Sequence, residues 1–269
     1  MSGTVDMPIT NETGADYFDL AAAQDSIESG APFAFPPFEV VRTRMGATNV
    51  TFCVNMVKDA IQNCHRKGEF YEQPELNALA AALPHGLSML DVGANVGNHA
   101  LFFALFKSAR RVVVIEPNPL AIAPLVGNVM LNGLNDVIDI SALGIGLSDR
   151  SEGGFGMNRR AINLGGTPMR PNEGTIEAHA GDDLFQDEAF DFIKIDVEGM
   201  EMKVLSGLEK TVSTHRPLMF VEVENDHIDA FMSWVEKMNY SVQNEWQRYE
   251  NNKNYLIAPN TADGTEGAG

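Results

Sequence analysis

The sequence predicts an α/β fold in which a mostly parallel β-sheet carries helices on both faces, with an antiparallel hairpin at one edge. Two observations lead to this fold class. From residue 88 onward, apolar runs of strand length alternate with stretches of helical periodicity. The early strands are apolar on both faces, which is typical of parallel strands that helices cover on each side.

The first part of the chain is predicted to be an accessory α/β extension over residues 17–87, serving as a cap or side wall. β-Branched residues alternate on either side of Gly46 and Ala47, which indicates a hairpin. Residues 57–68 and 73–86 are predicted to form helices, each closing at its terminal glycine. Nothing in these residues decides whether the extension covers a cleft or pairs with a second subunit in a homodimer.

The main domain is predicted over residues 88–258. Its elements, in order, are expected at residues 88–93, 98–109, 111–117, 119–133, 137–145, 190–196, 201–214, 217–224, 227–239, 240–246 and 254–259. The segment 147–181 is Gly-rich and polar, so we expect a long functional loop with a small β-structure near residues 174–179. Residues 1–16 and 259–269 lack apolar periodicity and are predicted to be disordered.

Composition restricts the partners. The chain of 269 residues has 19 Lys and Arg against 37 Asp and Glu, a formal net charge of −18, which repels nucleic acids and anionic membranes. The sequence shows no signal-peptide pattern, and no apolar run approaches the roughly 20 residues that span a bilayer. Cys53 and Cys64 match no disulfide framework, so we expect reduced thiols in a cytoplasmic protein.

The stretch MLDVGANVGNHALFF at residues 89–103 predicts a buried strand that turns sharply into a helix. Gly93 and Gly97 stand where a side chain would collide with a ligand that approaches the backbone. The N–H groups at the start of the helix are predicted to receive polar groups of that ligand.

Two acids define this ligand better than the glycines do. Asp91 precedes the first glycine, and Glu116 ends the next strand, where a carboxylate meets ribose hydroxyls in nucleotide-binding folds. A dinucleotide would require G-x-G-x-x-G spacing, and Asp91 would repel its phosphates. S-adenosylmethionine (SAM) fits better, because it has an ammonium group and a ribose. We expect Asp91 to attract the amine directly or through water, while Asn95 and the glycine-turn amides bind the carboxylate.

Five stretches resemble the FkbM-type methyltransferases, SAM-dependent enzymes of the Rossmann-like class I fold. They occur in the family's order at residues 67–79, 90–104, 114–133, 142–149 and 192–208. The combination of DVGANVG with IKIDVEGME is far more specific than a pair of glycines. The resemblance says little about the first 65 residues.

The resemblance implies roles for individual residues. Around the first strand end, the implied cofactor-binding residues are Asp91, Gly93, Ala94, Asn95, Gly97 and Asn98. Glu116 would bind the ribose, and the residues beside the adenine would be Pro117, Asn118 and Leu143. Tyr71 and Glu72 match the family's FYE motif and would close over the methionine end.

The reacting groups are predicted at two further strand ends. Methyl transfer requires an aligned nucleophile and a base for its proton. Asp196 ends a buried strand beside the expected cofactor crevice, which also makes it a cofactor contact, and Glu198 and Glu222 follow nearby. Neighbouring carboxylates raise one another's pKa, so these three acids are the catalytic candidates. A divalent cation is an alternative occupant of the same group.

Other polar residues are weaker candidates. Three histidines offer a rival base, although we expect packing or surface roles for them: His65, His99 and His227. Three arginines of the long segment offer a grip for an anionic substrate, although we expect a solvated loop face: Arg159, Arg160 and Arg170.

The function expected from the sequence is SAM-dependent methylation of a hydroxyl on a small molecule, such as a sugar or another secondary metabolite. Nitrogen is the alternative acceptor atom, because the choice of oxygen depends only on the resemblance and on the predicted acid group. The glycine spacing and Asp91 disfavour a nicotinamide-dependent oxidoreductase. A non-catalytic protein that keeps the cofactor pocket is the remaining alternative.

Overall fold

The computed structural model describes residues 18–157, 164 and 166–260. Within these ranges the strands are β1 Glu39–Met45, β2 Thr48–Val54, β3 Ser88–Val92, β4 Arg111–Ile115, β5 Ile138–Asp139, β6 Gly146–Ser148, β7 Glu152–Met157, β8 Met169–Arg170, β9 Ile176–Ala180, β10 Phe192–Ile195, β11 Leu218–Glu224, β12 Tyr240–Trp246 and β13 Asn252–Pro259. The helices are α1 Leu20–Ser29, α2 Ala60–Arg66, α3 Gln73–Ala82, α4 Asn98–Phe106, α5 Pro119–Leu131, α6 Gly181–Phe185, α7 Glu201–Gly207, α8 Glu209–His215 and α9 Ile228–Lys237, with a 3₁₀ turn at Asn225–His227.

Seven strands form the central sheet in the order β5-β4-β3-β10-β11-β13-β12. The five strands from β5 to β11 are parallel, whereas β13 runs antiparallel to both of its neighbours. The predicted α/β fold class with an antiparallel pair at one edge is confirmed. One detail was not predicted: β13 lies inside the sheet, between β11 and β12, and buries Tyr255 and Ile257.

The two faces of the sheet belong to separate apolar cores. Phe192 and Phe220 pack in the core that includes residues of α3, α4 and α5, whereas Ile193 and Val221 pack in the core with α7, α8 and α9. This alternation follows from the period of two along a strand. Towards the carboxyl ends of the strands, the face that carries Phe192 and Phe220 becomes polar, and the candidate site lies there.

The hairpin of the N-terminal extension packs against α5 through asparagines. Asn128 accepts a hydrogen bond from the Cys53 N–H at 2.6 Å and donates one to the Val96 carbonyl at 2.7 Å. Asn132 accepts from the Thr51 N–H at 2.8 Å and donates to the Thr51 carbonyl at 2.7 Å. Through Val96, the same helix also supports the loop between β3 and α4.

Several predicted boundaries differ from the structure. The helix expected over residues 201–214 is broken at Leu208, because Gly207 packs so closely that an added Cβ would lie 2.0 Å from the Ser148 carbonyl oxygen. Among the described residues of the segment 147–181 and its neighbour Gly146, four short strands form a second sheet in the order β6-β9-β7-β8. Of the strand predicted at 137–145, Ile138 and Asp139 form β5, and Leu143 adds an isolated bridge to Glu116.

The chain ends and helix ends also differ in detail. α2 ends just before Gly68, but α3 ends at Ala82 and Gly86 lies in the following loop. β13 continues through Pro259, one residue into the tail predicted to be disordered. Asn260, also in that tail, donates its N–H to the Asn239 carbonyl at 3.0 Å. Residues 261–269, residues 1–16 and the two arginines Arg159 and Arg160 lie outside the described residues. Within the described ranges, none of the helices combines the length and the apolar character needed to cross a membrane.

Candidate functional site

A cleft opens at the carboxyl ends of β3, β4 and β10. It contains about 560 Å³ of empty space, part of which is open to solvent. The polar part of its wall includes Asn95, Glu116, Asp196 and Glu198. The apolar part includes Ile115, Leu147, Met157, Leu164, Met169 and Met200.

Gly93 brings two strand ends into direct contact. It has a φ of +78°, and a Cβ added there would lie 1.8 Å from the carbonyl oxygen of Asp196. The sequence predicts that a side chain at this position would collide with a ligand. In the structure, a side chain at this position would overlap the backbone at the end of β10 even without a ligand. The absence of a side chain at Gly93 therefore allows the ends of β3 and β10 to approach each other.

The backbone N–H groups of the glycine corner are used within the protein. Those of Gly93 and Ala94 donate to the Ile115 carbonyl at 2.9 and 3.0 Å. That of Asn95 donates to Glu116 Oε2 at 2.7 Å. For these three residues, the prediction that the amides receive the ligand is therefore wrong, because the corner folds back onto the end of β4. Gly97, with a φ of +82°, is the N-cap of α4.

Asp91 is fully buried beside Lys194, a residue that the sequence analysis did not select. The register of β3 and β10 aligns the two residues, and Lys194 Nζ lies 3.2 Å from Asp91 Oδ1. The same ammonium group donates to the Gly93 carbonyl at 2.5 Å and lies 3.5 Å from Asp196 Oδ2.

This contact restricts what Asp91 can do. Burial opposes the charge on Lys194, but Asp91 and Asp196 outweigh it and raise the pKa of the ammonium group. Burial raises the pKa of Asp91, and Lys194 opposes that rise. Because Asp91 has no exposed surface and faces Lys194, it does not offer the direct contact with a ligand amine that the sequence suggests.

Glu116 joins the glycine corner to the start of α5. Its two carboxylate oxygens accept the N–H groups of Asn95 and Asn118, each at 2.7 Å. Burial raises the pKa of Glu116 to about 7, although both N–H groups act against this rise. The carboxylate still lies on the cleft wall with Pro117. Asn118 instead caps α5 by accepting the Leu120 N–H, and Leu143 pairs with Glu116 in an isolated bridge.

The three predicted catalytic acids converge. Oxygen atoms of Asp196, Glu198 and Glu222 lie within 4.8 Å of one another, an arrangement able to hold a divalent cation. Burial, followed by the charge of Asp196, raises the pKa of Glu198 to about 8. The same two causes and a hydrogen bond to Asp196 raise the pKa of Glu222. Asp196 has 39% of its side chain exposed, so it is the acid that a ligand in the cleft reaches.

Tyr71 and Glu72 lie next to this acid group. Asn98, the first residue of α4, accepts the Tyr71 N–H at 3.0 Å and donates to the Tyr71 carbonyl at 3.1 Å. Burial, followed by the charge of Asp196, raises the pKa of Glu72 to about 7. Asn98 thereby fixes the segment that carries Glu72 above the carboxyl end of the sheet.

The loop between β12 and β13 holds Tyr71 and Glu72 from the other side. Arg248 donates to Glu75 Oε1 at 2.6 Å and lies 3.7 Å from Glu72 Oε1. The hydroxyl groups of Tyr71 and Tyr249 are 2.7 Å apart. Neither Arg248 nor Tyr249 had a signal in the sequence, because the contact joins residues more than 170 positions apart.

The predicted site residues thus divide into two groups. Those on the cleft wall are Gly93, Asn95, Glu116, Pro117, Asp196 and Glu198. Those placed behind the wall or beside it are Tyr71, Glu72, Asp91, Ala94, Gly97, Asn98, Asn118, Leu143 and Glu222. The second group supports the residues of the first or, like Glu222, extends the acid group away from the cleft.

The histidines and Arg170 lie elsewhere. His65 stacks on Phe52 with 4.2 Å between ring centroids, and burial lowers its pKa to about 4. Burial and Lys194 lower the pKa of buried His99 well below its usual value. His227 contacts Glu201, and Arg170 lies 3.8 Å from Glu173. None of these four residues is part of the described cleft wall.

The strand order and the cleft at the ends of the central strands define a Rossmann-like α/β fold. The family model for the methyltransferase FkbM domain matches residues 91–242. The chain belongs to this family of methyltransferases. No curated protein matches the chain.

Solved structures with a similar fold share little sequence with the chain. The methyltransferase FkbM of Methylobacillus flagellatus is 18% identical with a TM-score of 0.47, over 65% of this chain and 44% of that one. A ribosomal-protein methylase of Lactobacillus delbrueckii subsp. bulgaricus is 13% identical with a TM-score of 0.46, over 71% and 79%. A tRNA methyltransferase of M. jannaschii is 12% identical with a TM-score of 0.49, over 85% and 57%. The chain therefore spans less than half of the length of the first of these proteins.

The contact at Gly93 gives a first prediction. Gly93→Ala should lower the free energy of unfolding by several kcal/mol more than Gly86→Ala and should abolish binding of S-adenosylhomocysteine. Both glycines have a positive φ, +78° and +72°, so both variants pay the roughly 1 kcal/mol cost of that conformation. Only at Gly93 does the new Cβ overlap another backbone, because nothing lies within 4 Å at Gly86. Urea unfolding measures the free energy of unfolding, and calorimetry measures binding of S-adenosylhomocysteine. Equal losses of stability and of binding in the two variants would contradict the prediction.

The buried ion pair gives a second prediction. Lys194→Met should lower the free energy of unfolding by about 3–5 kcal/mol, because it leaves the Asp91 carboxylate buried without its counterion. Adding Asp91→Asn to Lys194→Met should restore part of this loss, since the uncompensated charge is then removed. Urea unfolding of the two single variants and the double variant measures the coupling. A double variant whose loss equals the sum of the two single losses would show that the pair is not coupled.

The raised pKa of Glu72 gives a third prediction. Its pKa of about 7 in the folded protein exceeds the roughly 4.3 of an unfolded chain, so its contribution to stability is present below pH 4.3 and is lost as the pH rises through 7. Glu72→Gln should therefore reduce the fall in the free energy of unfolding between pH 5 and pH 8 by about 1–2 kcal/mol. Glu69→Gln, a change of an exposed acid in the same loop, is the control and should keep the wild-type slope.

Proposed function

We propose that the protein transfers a methyl group from SAM to a hydroxyl of a small, uncharged molecule. The observation that carries the proposal is the contact at Gly93, which joins the glycine corner to the acids that follow β10 within one cleft. A cofactor held along the glycine corner would present its reactive end to Asp196. The free thiols of Cys53 and Cys64 fit the reducing conditions of the cytoplasm.

The residues of the cleft fit SAM in two respects. Glu116 lies on the wall with lone pairs that its two N–H donors do not use, so it can accept ribose hydroxyls. The apolar wall, with Met157 and Met169, offers polarizable contacts to a flat adenine ring.

Charge is the reason to prefer SAM over a dinucleotide. When bound, SAM supplies a methyl group on a positively charged sulfur, which leaves as a neutral thioether. Asp196 and Glu198 on the cleft wall attract such a cation, whereas they would repel a pyrophosphate. The nicotinamide-dependent alternative therefore has no support in the charge of the cleft.

In the proposed reaction Asp196 is the general base. The acceptor oxygen forms a bond to the methyl carbon while the bond from that carbon to sulfur breaks, and the hydroxyl proton passes to Asp196. The ammonium group of Lys194 lies 3.5 Å from Asp196 Oδ2 and holds this side chain at the end of β10. An oxygen atom of Glu222 lies within 4.8 Å of Asp196 and belongs to the same acid group.

The same acids restrict the acceptor. A phosphate or carboxylate near Asp196, Glu198 and Glu222 would be repelled, and the net charge of −18 adds to this effect at long range. We therefore propose a small-molecule acceptor rather than a nucleic acid. An amine is the second candidate, because the acid group attracts cations as well as accepting protons.

A binding measurement and a transfer measurement test the proposal. We expect calorimetry to show that S-adenosylhomocysteine binds and that NADH does not. Incubation with methyl-labelled SAM and a panel of neutral polyols, their phosphate esters and matching amines should label the neutral hydroxyl compounds. Labelling confined to the amines would identify the second candidate, and absence of S-adenosylhomocysteine binding would overturn the proposal.

Variants separate binding from chemistry. Asp196→Asn should lower the transfer rate by about 100- to 10,000-fold, because general-base catalysis is lost, while S-adenosylhomocysteine still binds. Asp226→Asn, at an acid of the 3₁₀ turn, is the matched control and should keep the rate. A chelator in the same assay decides whether the acid group acts with a divalent cation, because only then does the rate fall and return with added Mg²⁺.

A further inference from the structure

Asn254, in the middle of β13, presents a carboxamide that no described residue hydrogen-bonds. The residue is 5% exposed, and its oxygen and nitrogen atoms are not among the fully buried unpartnered ones, so they keep contact with solvent. A polar group that is held in a sheet and left open to solvent is available to a ligand. No sequence signal pointed to this residue.

The sheet register places Asn254 beside the acid group. β11 and β13 are antiparallel, and Glu222 is directly opposite Asn254. The next residues along β13 show which face this is, because Tyr255 belongs to one core and Leu256 to the other. Directly opposite residues project from the same face with Cβ atoms about 4.5–5.5 Å apart. The carboxamide and the Glu222 carboxyl therefore lie side by side.

A second pair repeats the arrangement further along the same strands. Asn252 is opposite Glu224, is 8% exposed, and its side chain also forms no hydrogen bond within the described ranges. The two pairs differ in their distance from the reaction. An oxygen atom of Glu222 lies within 4.8 Å of Asp196, whereas Glu224 packs over Gly199. Only the Glu222–Asn254 pair adjoins the proposed base.

The Glu222–Asn254 pair adjoins the cofactor cleft without lining it. Asp196 is on the cleft wall, but Glu222 and Asn254 are not. Oxygen atoms of Glu222 and Asp196 lie within 4.8 Å of each other. A substrate bound by the pair would therefore be next to Asp196 and would leave the cofactor cleft free.

We propose that Asn254 binds the methyl acceptor, and that its carboxamide and the Glu222 carboxyl together hydrogen-bond the hydroxyl groups of an uncharged polyhydroxylated molecule. A carboxamide offers both a donor and an acceptor, so it matches a hydroxyl group in either sense. The inference rests on the proposed function, since it assigns the acceptor side of the same reaction.

Two cofactor analogues test this inference without knowledge of the natural acceptor. Both are S-adenosylhomocysteine analogues in which nitrogen replaces sulfur, and the nitrogen carries either a 2-hydroxyethyl or a propyl group. The substituent projects towards the acceptor side, so only the first offers a hydroxyl to Asn254. We expect calorimetry to show that the wild-type protein binds the hydroxyethyl analogue about 3- to 10-fold more tightly than the propyl analogue.

Asn254→Leu, close in volume, should reduce this preference to within about twofold, whereas Asn254→Asp, which can still accept the hydroxyl proton, should keep part of it. Asn252→Leu makes the same change two residues away on the same face and should keep the preference. All variants should bind S-adenosylhomocysteine as the wild type does, which also shows that they fold.

The outcomes are distinguishable. If the wild-type protein binds S-adenosylhomocysteine but shows no preference for the hydroxyethyl analogue, the role of Asn254 is overturned and the proposed function stands. A preference that persists in Asn254→Leu also overturns it. If the wild-type protein binds neither S-adenosylhomocysteine nor the analogues, the proposed function itself fails.

Discussion

Lys194 lies between the ends of β3 and β10, and its ammonium group contacts the side chain of Asp91, the carbonyl of Gly93 and the side chain of Asp196. A buried ion pair of this kind is weak evidence for stability, because the desolvation cost can exceed the attraction. Its effect on geometry is clearer. One donor group fixes the glycine corner and the first acid of the proposed reaction at the same time, and the missing Cβ of Gly93 allows their backbones to touch.

The arrangement leaves more negative charge in the site than Lys194 compensates. Glu72, Glu116 and Glu198 all have a raised pKa, with burial as the main cause and the charge of Asp196 as a further one. Several carboxyl groups with pKa values near 7 in one cleft are typical of a functional site, and a bound cation would stabilise their ionised forms. In the proposed function the sulfonium and ammonium groups of SAM provide it, and binding would lower these pKa values and release protons.

The strand ends explain why part of the site was predictable. Alternating apolar runs indicate a parallel sheet, and the carboxyl ends of neighbouring parallel strands meet at one edge. The sequence positions of Asp196, Glu198 and Glu222 were therefore enough to predict that they converge. The sequence also predicts that another group approaches the backbone closely at Gly93, and the structure shows such an approach. The approaching group is the end of β10 rather than the predicted ligand.

The unpredicted residues depend on the order and register of strands. Lys194 in FIKID looks like any polar residue in an alternating strand, and its role follows from its alignment with Asp91 across β3 and β10. Asn254 faces Glu222 only because β13 inserts between β11 and β12, an order that local periodicity does not contain. The glycine-corner amides have partners because the corner folds back onto the end of β4, which is a property of the loop conformation.

Glu72 shows how the extension and the β12–β13 loop contribute to the site. It precedes α3 with a φ of +59°, a conformation costly for a residue other than glycine, and its side chain does not cap the helix. Such strain persists only where the surroundings impose it, and here Asn98 holds Tyr71 while Arg248 lies beside the Glu72 carboxylate. The carboxylate is thereby directed to the acid group instead of the helix N-terminus. In the proposed function, the segment that carries Glu72 therefore belongs to the reaction site as much as to the extension, and the Tyr71–Tyr249 contact links it to the β12–β13 loop.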